Sequence, residues 1–264
     1  MTVIYAISMN KGGVGKTSLV SNLSGTISKK MKKKILIIDT DGQGNSSIAF
    51  GLNPSNYENT IYDVLLGHQT AESVIVHIDK YIDIIPANED MNFLEFDILP
   101  DIQKYVNPFH LLKNGIQPIS SKYDYIFIDT PPSMGLVAGN VLTAADKVII
   151  PFVPEIFGVK GLIRVVDAIN DLKGRENPNL DILGVVGMMV DSRTTLHSEM
   201  LQQARKYCLE KGIYMFETII PKSIRFANST AYKGKPATWT DSNNPIVKAY
   251  FELMEEVFEH GKTK

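Results

Sequence analysis

The stretch Val3-Ile4-Tyr5-Ala6-Ile7-Ser8-Met9-Asn10-Lys11-Gly12-Gly13-Val14-Gly15-Lys16-Thr17 decides the fold. Val3–Ser8 is apolar and reads as a strand. A glycine-rich turn follows, and Lys16–Lys30 then carries a helical pattern. Strand, glycine turn and helix are the parts of a phosphate-binding loop. The glycines let backbone N–H groups turn inward around phosphate oxygens, and the helix N-terminus adds partial positive charge. On this reading Gly12, Gly13, Val14 and Gly15 line the phosphates, with Ser18 grouped among the nucleotide contacts. Lys16 reaches the β- and γ-phosphates, and the Thr17 hydroxyl ligates Mg²⁺. A glycine turn with a chance lysine is the plainer alternative, and the strand–loop–helix context speaks against it.

One departure from the usual G-x-x-x-x-G-K-[ST] pattern is informative. Asn10 stands at the first glycine, with Lys11 beside it. A lysine there cannot easily curl onto the phosphate of its own loop. It can reach a phosphate on a facing subunit, in the manner of an arginine finger, an effect of about 10³–10⁵ in rate in related phosphoryl transfer. A solvated loop lysine is the equal alternative on spacing alone.

Outward from the loop, apolar runs alternate with helical stretches. The runs are Val3–Ser8, Ile35–Asp39, Tyr81–Ile85, Tyr125–Asp129, Lys147–Pro151, Ile182–Val190 and Met215–Ile220. The expected helices are Lys16–Lys30, Gly135–Ala144, Val159–Leu172, Leu196–Glu210 and Pro245–Glu259. Near-continuous apolar strands are those covered on both faces of a parallel sheet. The alternation predicts an α/β, doubly wound, mostly parallel sheet flanked by helices, a P-loop NTPase fold. No linker splits the chain, so residues 1–264 are expected to form one domain. Asn53–Ser121 is the least regular part, with Ile61–Leu66 reading as a short amphipathic helix and Pro100–Pro118 as helix with breaks.

Two aspartate motifs sit where such a fold binds its ligand, at strand C-termini. Asp39-Thr40-Asp41-Gly42-Gln43-Gly44-Asn45 ends one strand. Asp41 is placed to orient an attacking water or accept its proton, and Asp39 to support a metal shell. A polar turn rich in Asp, Gly and Asn is the common alternative. Tyr125-Ile126-Phe127-Ile128-Asp129 is an apolar strand ending in aspartate, a Walker B pattern in which Asp129 holds Mg²⁺ through water. Alone it is weak; beside the loop it is strong.

Bulk properties set limits. The 264 residues are 44% hydrophobic, enough to bury a full core. A net charge of −2 argues against a chain coated for nucleic acid, without excluding a local basic patch. The single cysteine, Cys208, allows no disulfide within the chain and suits a reducing cytosol. No leader segment and no membrane-spanning run are read. The densest charge run, Lys29–Lys34, is expected as the solvated end of the first helix, and the five histidines carry no metal-ligand spacing.

With these residues in view, Lys11–Thr17 resembles the deviant Walker A box of the ParA/MinD ATPases. Asp39–Asn45 resembles their D-x-D-P-Q-G-N box, with Gly42 in place of proline. Thr130-Pro131-Pro132, Met189–Leu196 and Ile220–Arg225 continue the likeness to the end of the chain. It is nearest the short ParA form, called Soj on chromosomes. The resemblance implies ATP and Mg²⁺ as cofactors and a homodimer closed by ATP, with Lys11 crossing to the partner's nucleotide. It implies non-specific DNA binding through Lys222 and Arg225, and a ParB-like protein that stimulates slow hydrolysis. It places Asp191 and Pro221 at the nucleotide and the protein on the nucleoid in the cytoplasm. A MinD-like membrane-positioning ATPase is the alternative. Its basic amphipathic C-terminal helix is not matched, because Val247–Phe258 carries Glu252, Glu255 and Glu256. A metabolic P-loop ligase or kinase is the third reading, and Lys11 argues against it.

Overall fold

The apolar runs do become strands, and a computed structural model describes residues 2–263 of the chain. The strands are β1 (Val3–Ile7), β2 (Ile35–Asp39), β3 (Val76–His77), β4 (Ile82–Ile85), β5 (Tyr125–Asp129), β6 (Lys147–Phe152), β7 (Asp181–Val190) and β8 (Met215–Pro221). Among the described residues they form one sheet in the order β3-β4-β2-β5-β1-β6-β7-β8. Every pairing is parallel except the antiparallel edge pair of β3 and β4.

The helices are α1 (Lys16–Met31), α2 (Asn45–Ala49), α3 (Ile61–Leu66), α4 (Leu94–Ile98), α5 (Leu111–Ser120), α6 (Leu136–Ala144), α7 (Gly158–Arg175), α8 (Thr195–Lys211), α9 (Ile224–Lys233), α10 (Ala237–Thr240) and α11 (Pro245–Thr263). Right-handed crossovers dictate where they lie. From β1 the chain steps one way along the sheet to β2, which puts α1 on one face. From β5 through β6 and β7 to β8 it steps the other way, which puts α6, α7 and α8 on the opposite face. Both faces are covered, so all five residues of β2 are buried. The direction changes around β1 and β5, and a ligand crevice opens beyond the strand C-termini at such a switch point.

The sequence reading missed five short elements: β3, α2, α4, α9 and α10. Their apolar periodicity is too brief to register. For α9 the end signals were legible: the Ser223 side chain accepts from the Arg225 N–H, and Gly234 closes the helix at φ 55°.

The lysines of the Lys29–Lys34 run are exposed, as expected, and three of them make surface contacts. Lys29 Nζ donates to Ser242 Oγ at 2.7 Å, Lys30 lies 5.8 Å from the Phe251 ring centroid, and Lys33 pairs with Asp124 at 3.0 Å. On α11 the apolar stripe of Val247, Tyr250, Leu253 and Val257 is buried, in contact with α1 and β8. On the polar side of α11, Glu256 accepts the Glu217 N–H at 2.7 Å and the Thr218 N–H at 3.0 Å. Among the described residues no helix is long and apolar enough to cross a membrane.

The helix after β5 is clamped at its far end. Asn177, 7% exposed, donates from Nδ2 to the carbonyls of Leu142 at 3.0 Å, Thr143 at 3.2 Å and Ala145 at 2.7 Å. These are the carbonyls left open where α6 stops. Asn177→Ala strands them, at a cost of about 1–3 kcal/mol. The thermal unfolding midpoint is expected to fall by roughly 2–4 °C per kcal/mol. An unchanged midpoint by differential scanning calorimetry contradicts the clamp.

Candidate active site

The C-termini of β1, β2 and β5 meet in register. Ile7 and Asp39 both pair with Asp129. Side-chain bonds tie the strand ends together: the Thr40 hydroxyl donates to the Asp129 carbonyl at 2.7 Å and the Thr130 hydroxyl to the Ile7 carbonyl at 2.8 Å. The glycine loop leaves β1 over this floor and enters α1. Gly15 caps the helix at φ 85°, a backbone conformation that favours glycine. No side chain caps α1 and its first turn holds no acid. Its first N–H groups are therefore open to an anion.

The two lysines of the loop behave differently. Lys16 is 7% exposed, and its Nζ donates to the carbonyls of Met9 at 3.4 Å and Lys11 at 3.1 Å. Burial pulls its ammonium below the ordinary lysine value, opposed by the charges of Asp129 and Asp41. A desolvated cation held over open amides favours a compact, multiply charged anion. Lys11 turns outward, its side chain 43% exposed, and pairs with Glu155. That partner was not foreseen; nothing in the spacing of residues 11 and 155 signals it. An exposed pair of this kind is worth about 0–1 kcal/mol, so it parks Lys11 without locking it.

The aspartates form the acidic side. Asp39 and Asp129 are both fully buried. Burial, with the neighbouring Asp129 charge, pushes Asp39 well above the usual carboxylate range. Burial pushes Asp129 up to about 6, held down in part by hydrogen bonds from Thr17 and Ser46. Thr17 Oγ1 donates to Asp129 Oδ2 at 2.6 Å, and Ser46 Oγ to the same oxygen at 2.9 Å. Asp129 Oδ1 is buried with no hydrogen-bond partner. Asp41 is half-buried: its N–H donates to Asp39 Oδ1 and its Oδ1 accepts the Gln43 N–H, each at 3.1 Å.

This donor set fits Mg²⁺. The ligands on offer are hard oxygens, and an orphaned carboxylate oxygen in a buried site needs a cation or its water. Among the described residues no group of three or more His, Cys, Asp or Glu side chains cages a metal. A site of this kind takes its remaining ligands from water and phosphate.

The other expected residues sort as follows. Ser18 Oγ is 2.9 Å from Tyr250 OH, which links α1 to α11. Asp191 follows β7, and its carboxylate is gripped by Arg193 from Nε at 2.8 Å and Nη2 at 2.7 Å. Those hydrogen bonds hold it below the usual carboxylate range. The Asp191 N–H donates to His197 Nδ1 at 3.0 Å, which gives that histidine a structural partner. Pro221 ends β8 opposite Val190, and Lys222 N–H donates to the Val190 carbonyl at 2.9 Å. Lys222 is exposed, whereas Arg225 pairs with Asp241 at 3.2 Å. Sequence reasoning missed Ser46, Glu155 and the segment Asn92–Glu95. Asn92 lies over Gly42, where a Cβ would come within 2.6 Å of its Oδ1. Glu95 Oε1 accepts the Leu136 N–H at 2.7 Å, at the start of α6.

Comparison with known proteins follows from this geometry. Residues 1–182 match the family described as AAA domain. The chain is 32% identical over 262 residues to the sporulation initiation inhibitor protein Soj of Bacillus subtilis, covering 99% of this chain and 100% of that protein. The structure of cobyrinic acid a,c-diamide synthase from Mycobacterium smegmatis, with bound ATP analogue and magnesium, superposes with a TM-score of 0.85 at 26% identity, covering 99% of this chain and 96% of that one. A plasmid partition protein of Borrelia burgdorferi bound to AMPPNP gives 0.78 at 26% identity, covering 98% of both chains.

Lys16 tests the anion reading directly. Lys16→Ala removes the buried ammonium from beside Asp129 and Asp41 and keeps the glycines of the loop. It is expected to abolish nucleotide binding in equilibrium titration. Retention of wild-type affinity would sink the phosphate-loop assignment.

Proposed function

The chain belongs to the ParA/Soj family of partition ATPases, and on that premise we propose that it is an ATP-driven switch in DNA segregation. It binds ATP with Mg²⁺, closes into a homodimer, coats DNA without sequence preference, and releases it when a ParB-like partner stimulates slow hydrolysis. The observation that carries this reading is the division between the two lysines: Lys16 is folded into its own loop, while Lys11 faces outward at the rim.

The roles follow from position. The amides of Gly12–Lys16 and the Lys16 ammonium bind the β- and γ-phosphates. Magnesium, when bound, neutralises charge on the phosphate oxygens, and Thr17, Asp39 and Asp129 are the residues that would hold it. Asp41 orients the attacking water. Asp191 and Pro221 border the base, Asp191 through the loop that its bond to Arg193 stiffens. Lys11 leaves Glu155 and pairs with the partner's γ-phosphate, against which a weak exposed ion pair competes poorly. Ile156 and Phe157, 67% and 78% exposed, lie on the chain directly after Glu155 and supply apolar area to the same subunit contact. DNA meets Lys222 and Arg225.

A membrane-positioning role of the MinD kind lacks support in α11, whose apolar stripe is occupied by the core. A small-molecule ligase reading draws on the synthase neighbour, but an outward lysine beside exposed apolar residues favours a subunit contact.

Lys11→Ala separates these accounts. It is expected to bind ATP as a monomer and fail to dimerise, with hydrolysis and ATP-dependent DNA binding falling together. Light scattering with a slowly hydrolysed ATP analogue reads this out, and a normal mutant dimer refutes the shared site. For DNA, Arg225→Gln is expected to weaken binding and flatten the log–log salt dependence by about 0.9 for each lost phosphate contact. Asp241→Asn, which frees Arg225, is expected to strengthen binding. Equal affinities in both variants place the patch elsewhere.

A further inference from the structure

Ser46 is fully buried, belongs to none of the expected nucleotide contacts, and touches both metal-side carboxylates. Its N–H donates to Asp39 Oδ2 at 2.9 Å, and its hydroxyl donates to Asp129 Oδ2, also at 2.9 Å. The Thr17 hydroxyl donates to that same oxygen at 2.6 Å. A carboxylate torsion is otherwise broad and soft. Two donors on one oxygen set it: Oδ2 faces Thr17 and Ser46, and Oδ1 is the atom left buried and unpartnered.

The chain is built to deliver Ser46 to this place. Gly44, at φ 61°, turns the backbone into α2. A Cβ there would stand 2.4 Å from Pro54 Cγ and 2.9 Å from the Ala87 carbonyl, so no side chain fits. The turn places Ser46 between the ends of β2 and β5, in the first turn of α2 just after the loop that carries Asp41.

We propose that Ser46 is a positioning residue for the magnesium of the nucleotide site: its hydroxyl holds Asp129 by Oδ2 and so keeps Oδ1 free for the metal's water shell. Partners that orient the groups around a metal are worth about 10–100-fold in its affinity. The Thr17 hydroxyl is compatible with this arrangement, since its oxygen keeps lone pairs for a metal while its hydrogen stays on Asp129. Because Ser46 lies in the first turn of α2, directly after the loop that carries Asp41, the metal site and the water-orienting carboxylate are registered by one residue. The assignment rests on the Mg²⁺–nucleotide reading above.

The test uses Ser46→Ala, which removes the hydroxyl bond and keeps the amide bond to Asp39, and Ser46→Thr, which keeps a hydroxyl. A fluorescent ATP analogue is titrated onto the full chain in EDTA and across a Mg²⁺ series, and thermal unfolding is recorded without either. Ser46→Ala is expected to raise the Mg²⁺ concentration at half-maximal enhancement of binding about tenfold or more. Its affinity in EDTA stays at the wild-type value, and Ser46→Thr moves the midpoint back toward wild type. A folded Ser46→Ala protein with a wild-type Mg²⁺ midpoint overturns the proposal. So does equal loss of affinity in EDTA and in Mg²⁺, which makes Ser46 a support of the loop alone. A wild-type protein that binds no nucleotide under either condition overturns the nucleotide reading itself, a different result from enhancement that survives the alanine variant.

Discussion

Two carboxylates buried side by side are the constraint around which the site is built. Asp39 and Asp129 are direct neighbours because β2 and β5 are parallel and in register, and both are removed from water. Ionised acids in that setting are costly unless each is hydrogen-bonded or meets a cation. The compensation comes from the loops. The N–H groups of Asp41 and Ser46 serve Asp39, and the hydroxyls of Thr17 and Ser46 serve Asp129. The glycine loop and the Asp41 loop are thus anchored to the same pair of charges. Lys16, buried nearby, supplies the opposite charge and is held below its usual value by the same lack of water.

Against this fixed floor the outer parts are lightly held. Lys11 is tied by one exposed pair with Glu155, and Arg225 by one exposed pair with Asp241. Pairs of that kind are easily exchanged for another partner. Asn92 and Glu95 sit between these regimes. One lies over Gly42 in the Asp41 loop, and the other accepts the first N–H of α6 beyond Asp129. A short segment therefore touches both the Asp41 loop and the start of α6. The switch proposed above would use such a rigid floor together with loops whose contacts exchange at low cost.

The fold is shared more widely than the activity. A synthase and a plasmid partition protein superpose on this chain at equal sequence identity. What separates such proteins therefore lies in side chains at the rim. There Lys11 projects outward, and the exposed Ile156 and Phe157 follow the glutamate that holds it.

How much was legible can be said residue by residue. The glycine loop, the three aspartates and the alternation of strands and helices were readable from the sequence, because each depends on local order: strand, turn, helix, and a carboxylate closing an apolar run. The family resemblance carried by those motifs agrees with the comparisons. The short elements α2 and α4 were not readable, since their periodicity is too brief and tertiary packing stabilises them. Nor were Ser46 on Asp129, Glu155 on Lys11, Asp241 on Arg225, or the lysines of the Lys29–Lys34 run on their partners. Each of those contacts joins residues far apart in the chain, and only the closing of the sheet decides which meet. The sequence by itself determined that a glycine loop precedes α1 and that Asp39 and Asp129 close their strands. The tertiary structure decided which groups are buried and which are free to move, because burial and pairing depend on what folds against a residue rather than on its neighbours in the chain.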